Sequence, residues 1–146
     1  MLSQKARYAL RSLVALARAE GAQVTAGDLS TRAGAPRKFL EAILLELARR
    51  QIITSRRGKF GGYALARPAS EITFAEVIRV IDGPLALAPC VSKTAFRKCD
   101  GCADLETCPL REALMMARDA TAHVLEGYSL ADAAEHGVVE LLGPHP

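Results

Sequence analysis

The stretch Ile52-Ile53-Thr54-Ser55-Arg56-Arg57-Gly58-Lys59-Phe60-Gly61-Gly62-Tyr63-Ala64-Leu65 decides the fold. Two short β-prone runs flank a glycine-rich turn, which predicts a β-hairpin. From Arg56 to Gly62 there are three cations (Arg56, Arg57, Lys59) and three glycines (Gly58, Gly61, Gly62) in seven residues. Glycine lets a backbone approach phosphates closely, and an arginine at such a tip can enter a narrow minor groove. An ordinary solvated hairpin has no need of this composition, so the tip is expected to touch nucleic acid.

Working back from the hairpin, Leu40, Ile43, Leu44 and Leu47 form the buried stripe of a helix that runs from Pro36 to about Arg50. Proline suits a first helical position because its missing N–H has no intrahelical partner there. Gly34 supplies the turn before it, and a shorter helix precedes that turn, opened by Thr25 three residues before Asp28 and closed at Ala33. Residues 5–19, with Leu10, Leu13, Leu16 and Ala17 near helical spacing, predict an amphipathic first helix ended by Gly21. A short helix, a glycine turn, a second helix and a hairpin, in that order, make a winged helix-turn-helix. The second helix of such a motif presents its N-terminal residues to base edges in the major groove. Arg37, Lys38 and Glu41 fall away from the buried stripe and face outward. Lys38 could donate to guanine or a phosphate and Glu41 could accept from a cytosine amine. Arg37 and Glu41 could equally form a surface ion pair.

Working forward, Pro68 closes the hairpin, and Thr73 with Glu76 forms a capping box for a helix ending near Asp82-Gly83-Pro84. Residues 84–108 show no period. A longer helix follows from Pro109 to Tyr128, with Leu110, Leu114, Ala117, Thr121, Val124 and Tyr128 three or four apart. Ala113, Ala117, Ala120 and Ala122 on the same helix suit close packing against its own mate. The chain is thus read as mainly α with a small β-hairpin wing: a winged helix-turn-helix over 1–83, a cysteine-rich loop over 84–108, and a dimerisation helix with a frayed tail over 109–146.

Charge divides the chain in the same place. Residues 1–70 hold thirteen Lys and Arg against four Asp and Glu, a net +9, and residues 71–146 hold six against twelve, a net −6. A basic half joined to an acidic half is the pattern of a nucleic-acid reader attached to a module that does not bind it. Half of the residues are hydrophobic, enough for a modest core. No apolar run approaches the roughly 20 residues a membrane span needs, and Gln4, Lys5, Arg7 and Arg11 interrupt any leader-like stretch. A cytoplasmic, non-membrane protein is expected.

All four cysteines lie in the irregular segment. Eight residues separate Cys90 from Cys99, two separate Cys99 from Cys102, and five separate Cys102 from Cys108. In a reducing compartment such a cluster points to metal or redox chemistry rather than structural disulfides. Thiolates are soft donors that select iron–sulfur clusters, zinc or copper(I), and four suffice for a 2Fe–2S or 4Fe–4S cluster or a tetrahedral zinc. Zinc would make the loop a structural staple, and Cys99-Asp100-Gly101-Cys102 has the spacing of a zinc knuckle. Thiol or persulfide sensing is a further alternative, as is a partner-controlled repressor with no cluster. No second catalytic constellation accompanies the cysteines, so an enzyme is not expected. His123, His136 and His145 are read as surface or helix-packing residues.

Met1 to Leu10, the Pro36-to-Leu45 helix, and Arg57-Gly58-Lys59-Phe60-Gly61-Gly62-Tyr63 followed by Leu65 resemble the Rrf2 family of bacterial regulators, in particular its IscR-, NsrR- and RirA-like cysteine-containing members. The run Gly127-Tyr128-Ser129-Leu130-Ala131-Asp132 resembles the family's C-terminal segment, so the likeness covers about residues 1–132. The resemblance implies a homodimer on a two-fold-related double-stranded DNA operator. It implies that Lys38, Phe39 and Glu41 are recognition-helix contacts, that Arg57 is a minor-groove arginine, and that the long helix pairs across the dimer. It also implies an iron–sulfur sensor of redox, iron or nitric-oxide status, with Cys90, Cys102 and Cys108 matching the family's three cysteines. Where some members place a histidine ligand, three residues after the last cysteine, this chain has Arg111, and where others place an acidic ligand before a tyrosine it has Arg7. Cys99 is additional to the pattern and is the expected fourth ligand, with 4Fe–4S favoured over 2Fe–2S.

Overall fold

The computed structural model describes residues 1–136; the expectations for Gly137 to Pro146, His145 among them, lie outside the described residues. Helix α1 (Gln4–Arg18) begins at Ser3, whose hydroxyl accepts from the Ala6 N–H at 3.0 Å. Its buried stripe is Ala6, Ala9, Leu10, Leu13 and Leu16. Helix α2 (Ala26–Ala33) is capped by Thr25, which accepts from the Asp28 N–H at 3.2 Å, and ends at Gly34 in the left-handed region. Helix α3 (Arg37–Arg49) buries Leu40, Ile43, Leu44 and Leu47 as the spacing predicts. Pro36 stands one position earlier than expected, as the extended residue before the helix (ψ 129°) rather than its first member. The hairpin pairs β1 (Ile53–Arg56) with β2 (Gly62–Leu65) antiparallel, in the register Ile53 to Leu65 and Arg56 to Gly62.

Helix α4 (Phe74–Ile81) is capped by Thr73, which accepts from the Glu76 N–H. The reciprocal half of the expected capping box is absent, because the Glu76 carboxylate is held by Arg67 instead. Residues 82–110 are irregular apart from one 3₁₀ turn over Pro89–Val91. Helix α5 (Arg111–Glu126) follows, then a short helix α6 (Leu130–Glu135) with a full capping box between Ser129 and Asp132. The molecule is mainly helical with a two-stranded hairpin, a winged helix-turn-helix.

The core is one apolar spine shared by α1, α2, α3, the root of the hairpin and α4, with Leu13, Leu29, Leu40, Leu47, Ile52 and Ile72 fully buried in it. The far end of the chain returns to this core. Leu130 is fully buried there, and the segment before α6 is pinned by Leu130 N–H to Ile72 O and Phe74 N–H to Tyr128 O, both at 2.9 Å. Helix α5 itself has no fully buried residue. Its turned-in side carries Leu114, Ala117, Leu125 and, just beyond the helix, Tyr128, all half-buried. Its outward side carries Ala113, Met116, Ala120 and Val124, with Met116 68% and Val124 65% exposed. The stripe expected from spacing therefore mixed two faces: Leu114, Ala117 and Tyr128 belong inward, Val124 outward. Among the described residues no helix is long and apolar enough to cross a membrane.

Candidate nucleic-acid interface and cysteine cavity

The first turn of α3 is held by the Leu40 and Leu44 side chains sunk in the core, which leaves Arg37, Lys38, Phe39 and Glu41 outside. Arg37 Nε and Glu41 Oε1 lie 3.2 Å apart, so these two satisfy each other in the free protein. Lys38 has no ion pair among the described residues. Phe39 is 44% exposed and stands edge-on to Tyr8 of α1, ring centres 5.9 Å apart. Tyr8 thus buttresses the presented face, a role that its place in an N-terminal motif did not reveal. Lys5 Nζ to Glu46 Oε2 at 2.5 Å makes a second tie between α1 and α3.

At the wing, Arg56, Arg57 and Lys59 are exposed and form no ion pair among the described residues. Unpaired cations on a projecting tip give a local positive potential available to phosphates. The glycines divide their work differently from the sequence expectation. A Cβ on Gly61 would lie 2.2 Å from the Arg56 carbonyl oxygen, and one on Gly62 (φ +148°) would lie 2.7 Å from that of Val24. These two glycines serve chain-to-chain packing, and only Gly58 faces open space. Val24 and Tyr63 exchange both backbone hydrogen bonds, at 2.9 and 2.8 Å, so the wing root is fastened to the segment leading into α2. Phe60, 84% exposed at the tip with Lys59 Nζ 5.5 Å from its ring centre, had no apolar neighbour in sequence to explain it.

Cys90, Cys99, Cys102 and Cys108 all line one cavity of about 410 Å³, walled also by Ala88, Leu105, Leu110 and Leu114. The four are free thiols; Cys90 is buried and the other three are half-buried. The 3₁₀ turn presents Cys90, the Cys99-to-Cys102 turn is closed by Cys102 N–H to Cys99 O at 3.1 Å, and Cys108 sits at the foot of α5. Asp104 shapes the stretch between the last two cysteines, accepting from Glu106 N–H at 3.3 Å and from Thr107 Oγ1 at 3.0 Å. Those bonds, the Glu106 N–H first, hold its carboxyl below the usual range. A hydrogen bond with the Cys99 thiol, followed by burial, pushes the Cys90 thiol up, and the Arg111 guanidinium opposes that. Among the described residues no three His, Cys, Asp or Glu side chains stand at metal-holding spacing, so the sulfurs would draw inward to share a metal.

The donor set nevertheless fits a thiolate-ligated group. Four soft donors share one mostly apolar chamber, and the buried Arg111 Nε, in an adjoining recess that also reaches Cys108, has no hydrogen-bond partner. A buried polar group without a partner calls for an explanation. An anionic occupant supplies one.

The cavity is strapped to α5 by Arg118. Its side chain is only 11% exposed, and it donates from Nη1 to the Val91 carbonyl at 2.6 Å, one residue from Cys90. Asp119 completes the strap with Lys93 at 3.0 Å and Arg118 at 2.8 Å, and those partners, Lys93 foremost, hold its carboxyl below the usual range. No sequence pattern pointed to Arg118, since a lone arginine on a helix reads as surface.

Comparison with known proteins agrees with this architecture. Residues 2–136 match the Rrf2 family, described as iron-dependent transcriptional regulators. An rrf2-like helix-turn-helix regulator of Rhodobacter capsulatus is 40% identical over 116 residues, 77% of each chain. A helix-turn-helix regulator of Mycobacterium tuberculosis, Rv1287, is 49% identical over 86 residues; the match takes in 58% of this chain and about half (53%) of that longer relative. Among solved structures, CymR, the global cysteine regulator of Bacillus subtilis, superposes with a TM-score of 0.76 at 27% identity over 94% of this chain and 98% of its own. With its basic wing and its presented α3, the chain belongs to the Rrf2 family of DNA-binding transcriptional regulators.

Proposed function

We propose that this protein binds its operator as a homodimer, with α3 and the wing of each protomer on the DNA, and that Cys90, Cys99, Cys102 and Cys108 hold an iron–sulfur cluster that sets the affinity. The observation that carries this reading is the convergence of all four cysteines on one cavity strapped to α5. Arg37, Lys38, Phe39 and Glu41 face the major groove, and Glu41 exchanges its Arg37 partner for a base edge on binding. Arg56, Arg57 and Lys59 engage the flanking backbone and minor groove. The outward face of α5 (Ala113, Met116, Ala120 and Val124) packs against its mate, since small residues let helix axes approach. Two-fold-related half-sites about 34 Å apart then demand a fixed separation of the two α3 helices. Of the two nuclearities that four thiolates serve, the proposal takes 4Fe–4S.

When bound, the cluster supplies a redox-active centre whose loss or oxidation is the signal. The protein's own part is transmission. Ordering of residues 90–108 fixes the Val91 carbonyl, Arg118 carries that position to the middle of α5, and α5 sets the angle between protomers. The test is the visible spectrum of anaerobically purified protein with iron and sulfide assayed, alongside operator binding by wild type, Cys102→Ala and Cys108→Ala. Brown wild type with about four irons per subunit, and colourless variants with changed operator affinity, are expected. Colourless wild type after reconstitution, or variants that bind the operator like wild type in every redox state, would overturn it.

A second reading rests on Cys90 and Cys99 lining the same cavity as free thiols. A peroxide, reduced to water, would join these two sulfurs in a disulfide that changes the same loop without metal. Metal-free protein whose operator binding tracks a Cys90–Cys99 crosslink by mass spectrometry would favour that reading.

A further inference from the structure

The first turn of α5 carries a charge in the wrong place. A helix N-terminus is its positive end and favours acidic residues; Glu112 meets that preference at the second position, yet Arg111 is the first residue of this helix. Leu110 before it offers no side-chain cap to the free N–H groups. Arg111 makes no ion pair among the described residues, although it lines one recess with Cys108, Glu106, Glu112 and Asp119. Its Nε is instead buried without a partner. Its backbone N–H donates to the Cys108 carbonyl at 3.3 Å, which fixes its place relative to that cysteine. A cation without an ion pair and an orphaned N–H, in a recess that shares Cys108 with the cysteine cavity, are two unmet demands for negative charge.

We propose that Arg111 is a positioning residue for an anionic thiolate-bound cluster: its guanidinium donates N–H bonds to the sulfurs of Cys90 and Cys108 and balances their charge without itself being a ligand. The inference rests on the cluster reading above. A guanidinium at neutral pH has five donors and no free lone pair, so it cannot take a coordination place, and it does not lose its proton. A cluster held by four thiolates is a partly buried anion, and buried charge requires a partner. Hydrogen bonds to ligand sulfurs and net local charge are two of the means by which a protein sets a cluster's potential. A fixed cation stabilises the more negative, reduced form, so it raises the potential.

The test uses the full chain, reconstituted anaerobically, as wild type, Arg111→Met, Arg111→Gln and Arg111→Lys. Midpoint potential and the rate of iron loss to a chelator are read on each. Arg111→Met is expected to load the same iron per subunit, to shift the potential downward, and to lose iron about tenfold faster, the order expected for one charged hydrogen bond. Arg111→Lys restores the potential because the charge returns. Arg111→Gln, should the Met variant fold poorly, keeps a donor and shows the downward shift alone. Loaded Met and Gln variants that match wild type in potential and in iron loss overturn the inference while leaving the cluster reading intact. A wild type that takes up no cluster removes the cluster reading, and this inference with it.

Discussion

The winged half and the cysteine segment are built on opposite terms. From Ser3 to Ile81 nearly every element is fixed by apolar side chains driven into one spine, and its cations are left on the outside. From Pro84 to Leu110 only Cys90, Val91 and Ser92 are buried, and the chain is held by turns, the Asp104 cap and the Arg118 strap. The first half is held by apolar burial, completed by Leu130 from beyond α5. The second has the chemistry to hold a ligand and too little apolar surface to hold itself. The proposed sensor uses both: a reading head that does not deform, and a segment whose order would depend on what it carries.

The largest expected effect tests whether stability lies on one side of this divide. Leu130, from beyond α5, fills the spine of the winged half. Leu130→Ala should lower unfolding free energy by about 2–5 kcal/mol in a urea titration, the range for emptying a buried leucine site. Cys102→Ser in metal-free protein should change it by less than about 0.5 kcal/mol. Comparable losses in the two variants would abolish the contrast.

A smaller effect tests whether DNA affinity is confined to the other side. Arg57→Ala should weaken operator binding about tenfold and lower the slope of log K against log salt by about 1 unit, because one cation leaves the phosphate or groove contact set. Cysteine variants should shift affinity with redox state and leave that slope unchanged. An Arg57→Ala protein with wild-type affinity at several salt concentrations would remove the wing from the interface.

The same divide governs how much could be read from sequence. Helices α1 to α4 and the hairpin follow from period, caps and turn residues, because each buries its own stripe; Thr25 and Thr73 cap where their spacing says they should. Candidate contacts on α3 and the wing were legible for the same reason, as what remained outside the stripe. Three features were not. The faces of α5 were mixed, since an alanine-rich helix half-covered on one side shows no sharp period. The roles of Gly61 and Gly62 depend on Arg56 and Val24 backbones that only the folded hairpin brings near. Arg118 and Arg111 draw their meaning from a loop without periodicity, where local pattern carries no distance information.

The smallest expected effect compares two carboxylates in the same electrostatic state. Asp132 accepts from the Ser129 N–H at 2.8 Å and from its hydroxyl at 2.8 Å, and these bonds, the backbone one first, hold it below the usual range. Asp104 is held below it by the turn between Cys102 and Cys108. A carboxyl depressed in the folded state stabilises the fold above its unfolded pKa, about 3.9, and that contribution is lost as pH falls through the lower folded value. Asp132 caps α6, which seats Leu130 in the spine, so Asp132→Asn should melt below wild type at neutral pH and converge on it as pH drops under about 4. Asp104→Asn should leave the melting curve unchanged at every pH, because its turn belongs to the segment that contributes no spine. Were Asp104→Asn to shift melting as Asp132→Asn does, the cysteine segment would be part of the cooperative fold, and its order could not be switched without unfolding the reading head.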